Sequence, residues 1–184
     1  MAGQETDQVY DELLVTLARA GDRRAANRLA ARWYPRLMRT ALRLLRDRED
    51  AEEAVQEAWA AICRGWPRLS DAAMFPGWAF GILRRKCVDR IRRAQTQRAR
   101  SAPMDAAPEP AQPARGELRV EIDQALAGLS EDHRLVAVLF FGEGLSLNEI
   151  AAVTGTPVGT AKSRVFHARQ YLKSTLKGET DDEF

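Results

Sequence analysis

The chain has 184 residues with 28 Lys and Arg against 26 Asp and Glu, a net charge of +2, which leaves room for one or two small domains and neither indicates nor excludes nucleic acid. It is rich in Ala, Leu, Arg and Glu and poor in β-branched runs, so an all-α fold is expected. Cys63 and Cys87 are isolated, without CxxC spacing and with only 2 His, so neither a metal site nor a disulfide framework is indicated, and both read as packing residues.

Charge is unevenly distributed. Cations cluster at 84–100 and 162–173, acids at 47–57 and 179–183. No apolar run reaches membrane-spanning length and the opening MAGQETDQ has no signal-peptide core, so a cytoplasmic protein without membrane insertion is expected. There is no Ser/His/Asp constellation and no phosphate-cradling glycine loop, hence no catalytic residue and no cofactor to assign.

A first helix is predicted from about Asp7 to Ala20, with Val9, Leu13, Leu14 and Leu17 as its apolar stripe and Gly21 ending it. Asp22 caps a second helix to about Leu45, carrying Ala26, Leu29, Trp33, Leu37, Ala41 and Leu44, with Pro35 placed to kink or split it. Asp47 opens a third, two-sided helix, with Asp50 in the first turn where a carboxylate suits the dipole. Ala51, Ala54, Val55, Ala58, Trp59 and Ile62 face inward; Asp50, Glu53, Gln56, Glu57 and Ala60 face out. A loop from Trp66 to Pro76 leads to a helix from Gly77 to about Arg93. That helix starts apolar (Trp78, Phe80, Ile82, Leu83) and ends basic (Arg84, Arg85, Lys86, Arg90, Arg92, Arg93). Its cations exceed what a helix C-terminus needs, and with Phe75 and Trp78 beside them they suit single-stranded nucleic acid. Core packing of the aromatics is the competing reading.

From Gln95 to Gly116 the chain carries Pro103, Pro108, Pro110 and Pro113 and almost no large apolar residue. It reads as a flexible linker between helical blocks at 5–94 and 117–177. In the second block, Ser146 and Glu149 form a capping box, Ile150, Ala151 and Val153 supply an apolar side, and Gly155 permits a sharp turn. Thr156 is the expected N-cap of a last helix, with Pro157 just inside it. Ala161, Val165, Ala168 and Leu172 share one face, leaving Thr160, Ser163, His167 and Gln170 in front, flanked by Lys162, Arg164 and Arg169. Apolar behind, polar in front and basic at its edges, this helix suits the DNA major groove. A surface helical hairpin with a solvated basic face is the alternative.

Four segments carry a family resemblance: DREDAEEAVQEAW at 47–59, FPGWAFGILRRKCVDRIRR at 75–93, LSEDHRLVAVLFFGEGLSLNEIA at 129–151 and GTPVGTAKSRVFHAR at 155–169. Their order and spacing resemble the extracytoplasmic-function (ECF) sigma factors, promoter-specificity subunits of bacterial RNA polymerase. The resemblance implies two small helical domains, the second containing a helix-turn-helix. It also implies that Asp50, Glu53, Gln56 and Glu57 dock core RNA polymerase. Phe75, Trp78, Arg84, Lys86, Arg90, Arg92 and Arg93 would capture and hold melted promoter DNA. Thr160, Lys162, Ser163, Phe166 and His167 would read the upstream duplex element, with Arg164 and Arg169 on phosphates. An anti-sigma factor is the implied regulatory partner, and the linker would thread the polymerase's RNA exit region.

Three positions depart from the family pattern: Ala161 within the common GTVKSR, His167 where a basic residue is frequent, and Arg85 where Asn is frequent. Gly81 is unusual inside a helix, and close packing is its expected cause. Two other readings compete: an autonomous helix-turn-helix regulator, and a sigma-like decoy for an anti-sigma factor.

Overall fold

In the computed structural model, residues 2–100 and 117–178 are described; positions 101–116 of the expected linker and the acidic tail at 179–184 lie outside them. The described residues are helical with no strand: α1 (Ala2–Arg19), α2 (Arg23–Leu45), α3 (Arg48–Gly65), α4 (Phe75–Arg100), α5 (Glu117–Ala127), α6 (Glu131–Ala137), α7 (Leu147–Thr154) and α8 (Val158–Gly178). Short 3-10 turns at Trp66–Arg68 and Ala72–Met74 lie in the predicted loop before α4, and a π-helical turn, Val138–Gly142, extends α6. Because α4 continues to Arg100, the first residues of the expected linker are helical.

Local chemistry sets most boundaries. Gly21 adopts φ +92°, which ends α1 at little steric cost. The Asp22 carboxylate accepts from the amides of Arg24 and Ala25, and the Asp47 carboxylate accepts from Asp50 at 2.8 Å. Pro35 does not split α2, which runs unbroken from Arg23 to Leu45. Burial of Leu29, Trp33, Leu37 and Ala41 outweighs the roughly 3 kcal/mol that an internal proline costs.

The expected stripe of α1 is corrected. Leu14, Val15 and Ala18 are buried together with Asp11, while Val9, Leu13 and Leu17 are exposed. The reason is ionic: Arg32 Nε donates to Asp11 at 2.8 Å and Arg36 lies 3.5 Å from its other oxygen, so a paired carboxylate occupies the inner face. The hydrogen bond that Arg32 donates to Asp11 raises the Arg32 pKa against the opposing effect of burial.

The core centres on Trp33, which meets Phe75 edge-on at 4.8 Å and Phe80 at 5.6 Å. Leu135, Val136, Leu139, Leu145, Ile150, Ala151 and Val153 from the second block belong to this same buried cluster. A smaller cluster of Leu126, Leu129, Ala137, Val138 and Ala168 lies within the second block. Between the blocks, Arg36 Nε donates to Glu143 at 3.0 Å and the Thr40 hydroxyl to its other oxygen at 3.1 Å; the Glu143 side chain is 2 % exposed. Arg43 Nε donates to Asp123 at 3.0 Å. In this structure the two blocks are therefore packed together through apolar surface and paired charge.

Candidate functional site

On α3, Ala51, Ala54, Val55, Ala58 and Ile62 are fully buried as expected, whereas Trp59 is half-buried and sits edge-on to Trp66 at 6.2 Å. Small alanines let α4 approach closely, and that approach decides the fate of the outer acids. Asp50 and Glu57 are half-buried; Glu53 and Gln56 are exposed. Arg90 on α4 reaches Asp50 at 3.6 Å, contacts Glu53 and donates to Glu57 at 3.0 Å; Lys86 lies 2.9 Å from Glu57. The hydrogen bonds from Lys86 and then Arg90 lower the Glu57 pKa. For Arg90, burial pulls the pKa down but the hydrogen bonds it donates to Glu57 and Glu53 more than offset it.

The expected strand-holding residues of α4 thus separate into four groups: buried, half-buried, paired with α3 and exposed. Phe75 is corrected: it is fully buried against Trp33, so its ring is unavailable for base stacking and serves the core. Trp78 is half-buried with its ring over Gly65, where a Cβ would come within 2.7 Å of the indole; that close approach requires glycine. Arg84 is half-buried, and its Nε has no hydrogen-bond partner among the described residues. Lys86 and Arg90 are paired with α3, whereas Arg92 and Arg93 are exposed. Gly81 is also corrected: a Cβ there would find Arg85 Nη1 at 3.9 Å and nothing closer, so close packing does not require it. Cys87 is buried, and burial pushes its thiol up to about 12, which suppresses thiolate chemistry.

The helix-turn-helix forms from α7 and α8. The Ser146 hydroxyl accepts from the Glu149 amide while the Glu149 carboxylate accepts from the Ser146 amide at 2.8 Å, so the capping box is complete. Gly155 takes φ +67° at the turn. Thr156 is held by the Thr154 hydroxyl at 2.8 Å, and α8 begins at Val158, after Pro157 and not around it. Behind α8, Ala161, Val165 and Ala168 are buried. In front, Lys162, Ser163, Phe166, His167 and Arg169 are exposed and Thr160 is half-buried; Phe166 has 56 % of its surface free. Arg164 differs from its neighbours, because it pairs with Asp132 on α6 at 2.5 Å. The His167 ring sits 6.2 Å from that of His133, whose Nδ1 shares a hydrogen bond of 2.7 Å with Ser130.

Sequence reasoning missed Arg134. It is buried, and its guanidinium donates to the carbonyls of Leu126, Ala127 and Leu129, closing the end of α5. It missed the Arg36–Glu143–Thr40 link as well. A pair separated by 107 positions leaves no local signature.

A helical block with an acidic and basic seam, packed against a helix-turn-helix with an open polar face, defines a helical transcription protein. Residues 29–97 match the family described as Sigma-70 region 2, and residues 119–172 match Sigma-70, region 4. The chain is 33 % identical over 158 residues to "ECF RNA polymerase sigma factor SigM" of Mycobacterium tuberculosis, covering 85 % of this chain and 80 % of that protein. It is 27 % identical to "ECF RNA polymerase sigma-E factor" of Escherichia coli, covering 94 % and 97 %. Among solved structures it resembles the sigma factor RpoE of Bartonella quintana in complex with the anti-sigma factor NepR. There the TM-score is 0.69 at 28 % identity, covering 82 % of this chain and 96 % of that one. It also resembles CnrH in complex with the cytosolic domain of CnrY, with TM-score 0.66 at 26 % identity and coverage of 92 % and 98 %. The chain belongs to the ECF RNA polymerase sigma factors. Core RNA polymerase and promoter DNA are accordingly its partners, and among the described residues no helix is long and apolar enough to cross a membrane.

Proposed function

We propose a division of labour among the faces of this sigma factor. Residues 5–94 form the polymerase-docking and melting unit, and residues 117–177 the upstream-reading unit. The outer edge of α3, with Asp50, Glu53, Gln56 and Glu57, docks core polymerase. Trp78, Arg84, Lys86, Arg90, Arg92 and Arg93 on α4 hold the melted strands, with Phe75 fixing the start of that helix from within the core. On α8, Thr160, Lys162, Ser163, Phe166 and His167 face base edges while Arg164 and Arg169 take phosphates. Arg164 must leave Asp132 to do so.

The protein catalyses no reaction itself, works in the cytoplasm and answers to an anti-sigma factor, the kind of partner present in the similar structure of RpoE with NepR. The observation that carries the reading is the α8 front: five polar, basic or aromatic side chains lie open over a fully buried rear. Run-off transcription with core RNA polymerase on genomic DNA from the source organism tests it. New transcripts that depend on the protein support the assignment, and their aligned start sites supply both promoter elements. Core binding without transcripts would favour the decoy; absence of core binding would favour an autonomous regulator.

A further inference from the structure

We propose that His133 on α6 is a positioning residue for upstream-promoter recognition: held by Ser130, it fixes the ring of His167 on the front of α8 and so sets the preference at the base pair His167 reads. This deepens the duplex-reading role given to α8 above and rests on it. The chain has 2 His, and they meet here, with rings 6.2 Å apart and nearly perpendicular at 86°. His167 is exposed and His133 half-buried. Ser130 occupies the N-cap of α6, where a serine hydroxyl ordinarily accepts from a backbone amide of the first turn. It makes no such bond; its hydroxyl lies 2.7 Å from His133 Nδ1 instead. That hydroxyl is therefore committed to orienting a ring and not to starting a helix. Ala137 and Val138 pack with Ala168 of α8 in one buried cluster, so the backbone carrying His133 is fixed relative to the backbone carrying His167. His167 also meets the ring of Phe166, at 5.6 Å and 76°.

An exposed side chain that rotates freely loses that freedom on binding, and the loss subtracts from affinity. A ring already seated against two others has lost much of it beforehand. The effect is directional as well. An imidazole reads a base edge through a single ring nitrogen, so tilting the ring moves that atom off the group it addresses. A guanidinium, with its fork of N–H donors, depends less on such support. Ser130 and His133 act through His167 and not on DNA directly, because Glu131 and Asp132 stand exposed on the same turn of α6 and would repel a phosphate. Asp132 on that turn also holds Arg164, so the start of α6 orients two side chains of the α8 face.

The test uses polymerase holoenzyme made with the full chain and duplex promoters obtained by run-off transcription, with each base pair of the upstream element varied in turn. Competition binding gives the preference at each position. His167→Ala is expected to erase the preference at one base pair. His133→Ala should reduce the preference at that same base pair about fivefold and leave the others within about twofold. Ser130→Ala and His133→Phe each keep a ring beside His167 but lose the hydrogen bond, and should fall between His133→Ala and wild type. His133→Ala with His167→Ala should match His167→Ala alone, since nothing is left to position. An equal loss at every base pair would mean that His133 only supports the fold, and the proposal fails. Additive losses in the double variant would mean that His133 touches DNA itself, which overturns it too. An unchanged preference in His133→Ala, with one erased in His167→Ala, removes the positioning role alone. Unchanged preferences in both remove the reading role of His167 on which it rests. Circular dichroism identifies any variant that does not fold, and Ser130→Ala, which deletes an exposed hydroxyl that caps nothing, keeps the test decisive should His133→Ala be one.

Discussion

The seam between α3 and α4 and the front of α8 are both rich in charge, yet they keep it differently. In the seam, Asp50, Glu53 and Glu57 meet Lys86 and Arg90, and each side is occupied by the other. On α8, Lys162, Ser163, Phe166, His167 and Arg169 stand in solvent, with Arg164 alone among the front cations paired to a neighbouring helix. The cause lies in the packing behind. Alanines on α3 bring α4 close enough for their edges to meet, whereas α8 buries its rear against α6 and α7 and, among the described residues, brings only Asp132 to a front cation. A surface charge is available to a partner only when the packing beneath it brings no opposite charge within reach.

The sharpest way to break this comparison is to reverse one surface at a time. Glu53→Lys with Gln56→Lys should weaken core polymerase binding by about 3 kcal/mol, on the order of a hundredfold, and leave promoter duplex affinity within about twofold. Surface plasmon resonance against immobilised core and against duplex DNA measures both. Lys162→Ala with Ser163→Ala should do the opposite, costing about 2 kcal/mol of duplex affinity with core association intact. If both pairs of substitutions damage both activities equally, the two surfaces do not have separate partners.

The all-α class, the capping box, the αL turn at Gly155 and the buried face of α8 were legible in the sequence, because each is a local pattern with a local physical cause. The acidic edge of α3 was legible as an edge, but its occupation by Arg90 was not, since that depends on how two helices register. Phe75 shows the same limit: aromatics beside cations suit base stacking, but its ring packs against Trp33, which lies 42 positions earlier (75 − 33). On α1 the pattern held only for Leu14, because with Asp11 buried beside Arg32 and Arg36 the other stripe residues, Val9, Leu13 and Leu17, face outward. Arg134 and Glu143 were invisible for a related reason, as an isolated charged residue reads as surface until its partners are placed.

Buried and open arginines sharpen the comparison within the second block. Arg134→Ala removes the donor to Leu126, Ala127 and Leu129 and leaves carbonyls at the end of α5 without it, at a cost of about 2 kcal/mol. The melting temperature should fall by roughly 4–8 °C, whereas Arg169→Ala on the open face should shift it hardly at all. Differential scanning calorimetry compares the two. A smaller change of opposite sign is expected at Gly81→Ala. With room for a Cβ, removing a helix-interior glycine should stabilise the chain by about 1 kcal/mol. A loss of stability in urea titration would mean that the site is tighter than a 3.9 Å neighbour implies.

The smallest effect expected is a pH dependence of the seam. Hydrogen bonds first from Lys86 and then from Arg90 hold the Glu57 carboxyl below its ordinary 4.5, with burial opposing them. A carboxyl whose pKa is lower folded than unfolded binds fewer protons in the native state, so its contribution is fully present above 4.5 and fades as pH falls through the lower folded value. Because Glu57 keeps 39 % of its side chain exposed, solvent screening keeps that contribution small. The stability difference between wild type and Glu57→Gln should therefore stay constant between about pH 5 and 7 and shrink in more acidic solution. Urea denaturation across that range measures it. Lys162→Ala with Ser163→Ala should instead give a curve parallel to wild type, since neither side chain belongs to the seam that holds Glu57. A Glu57→Gln difference that persists after the carboxylates are protonated would show that the seam acts through shape and not through charge.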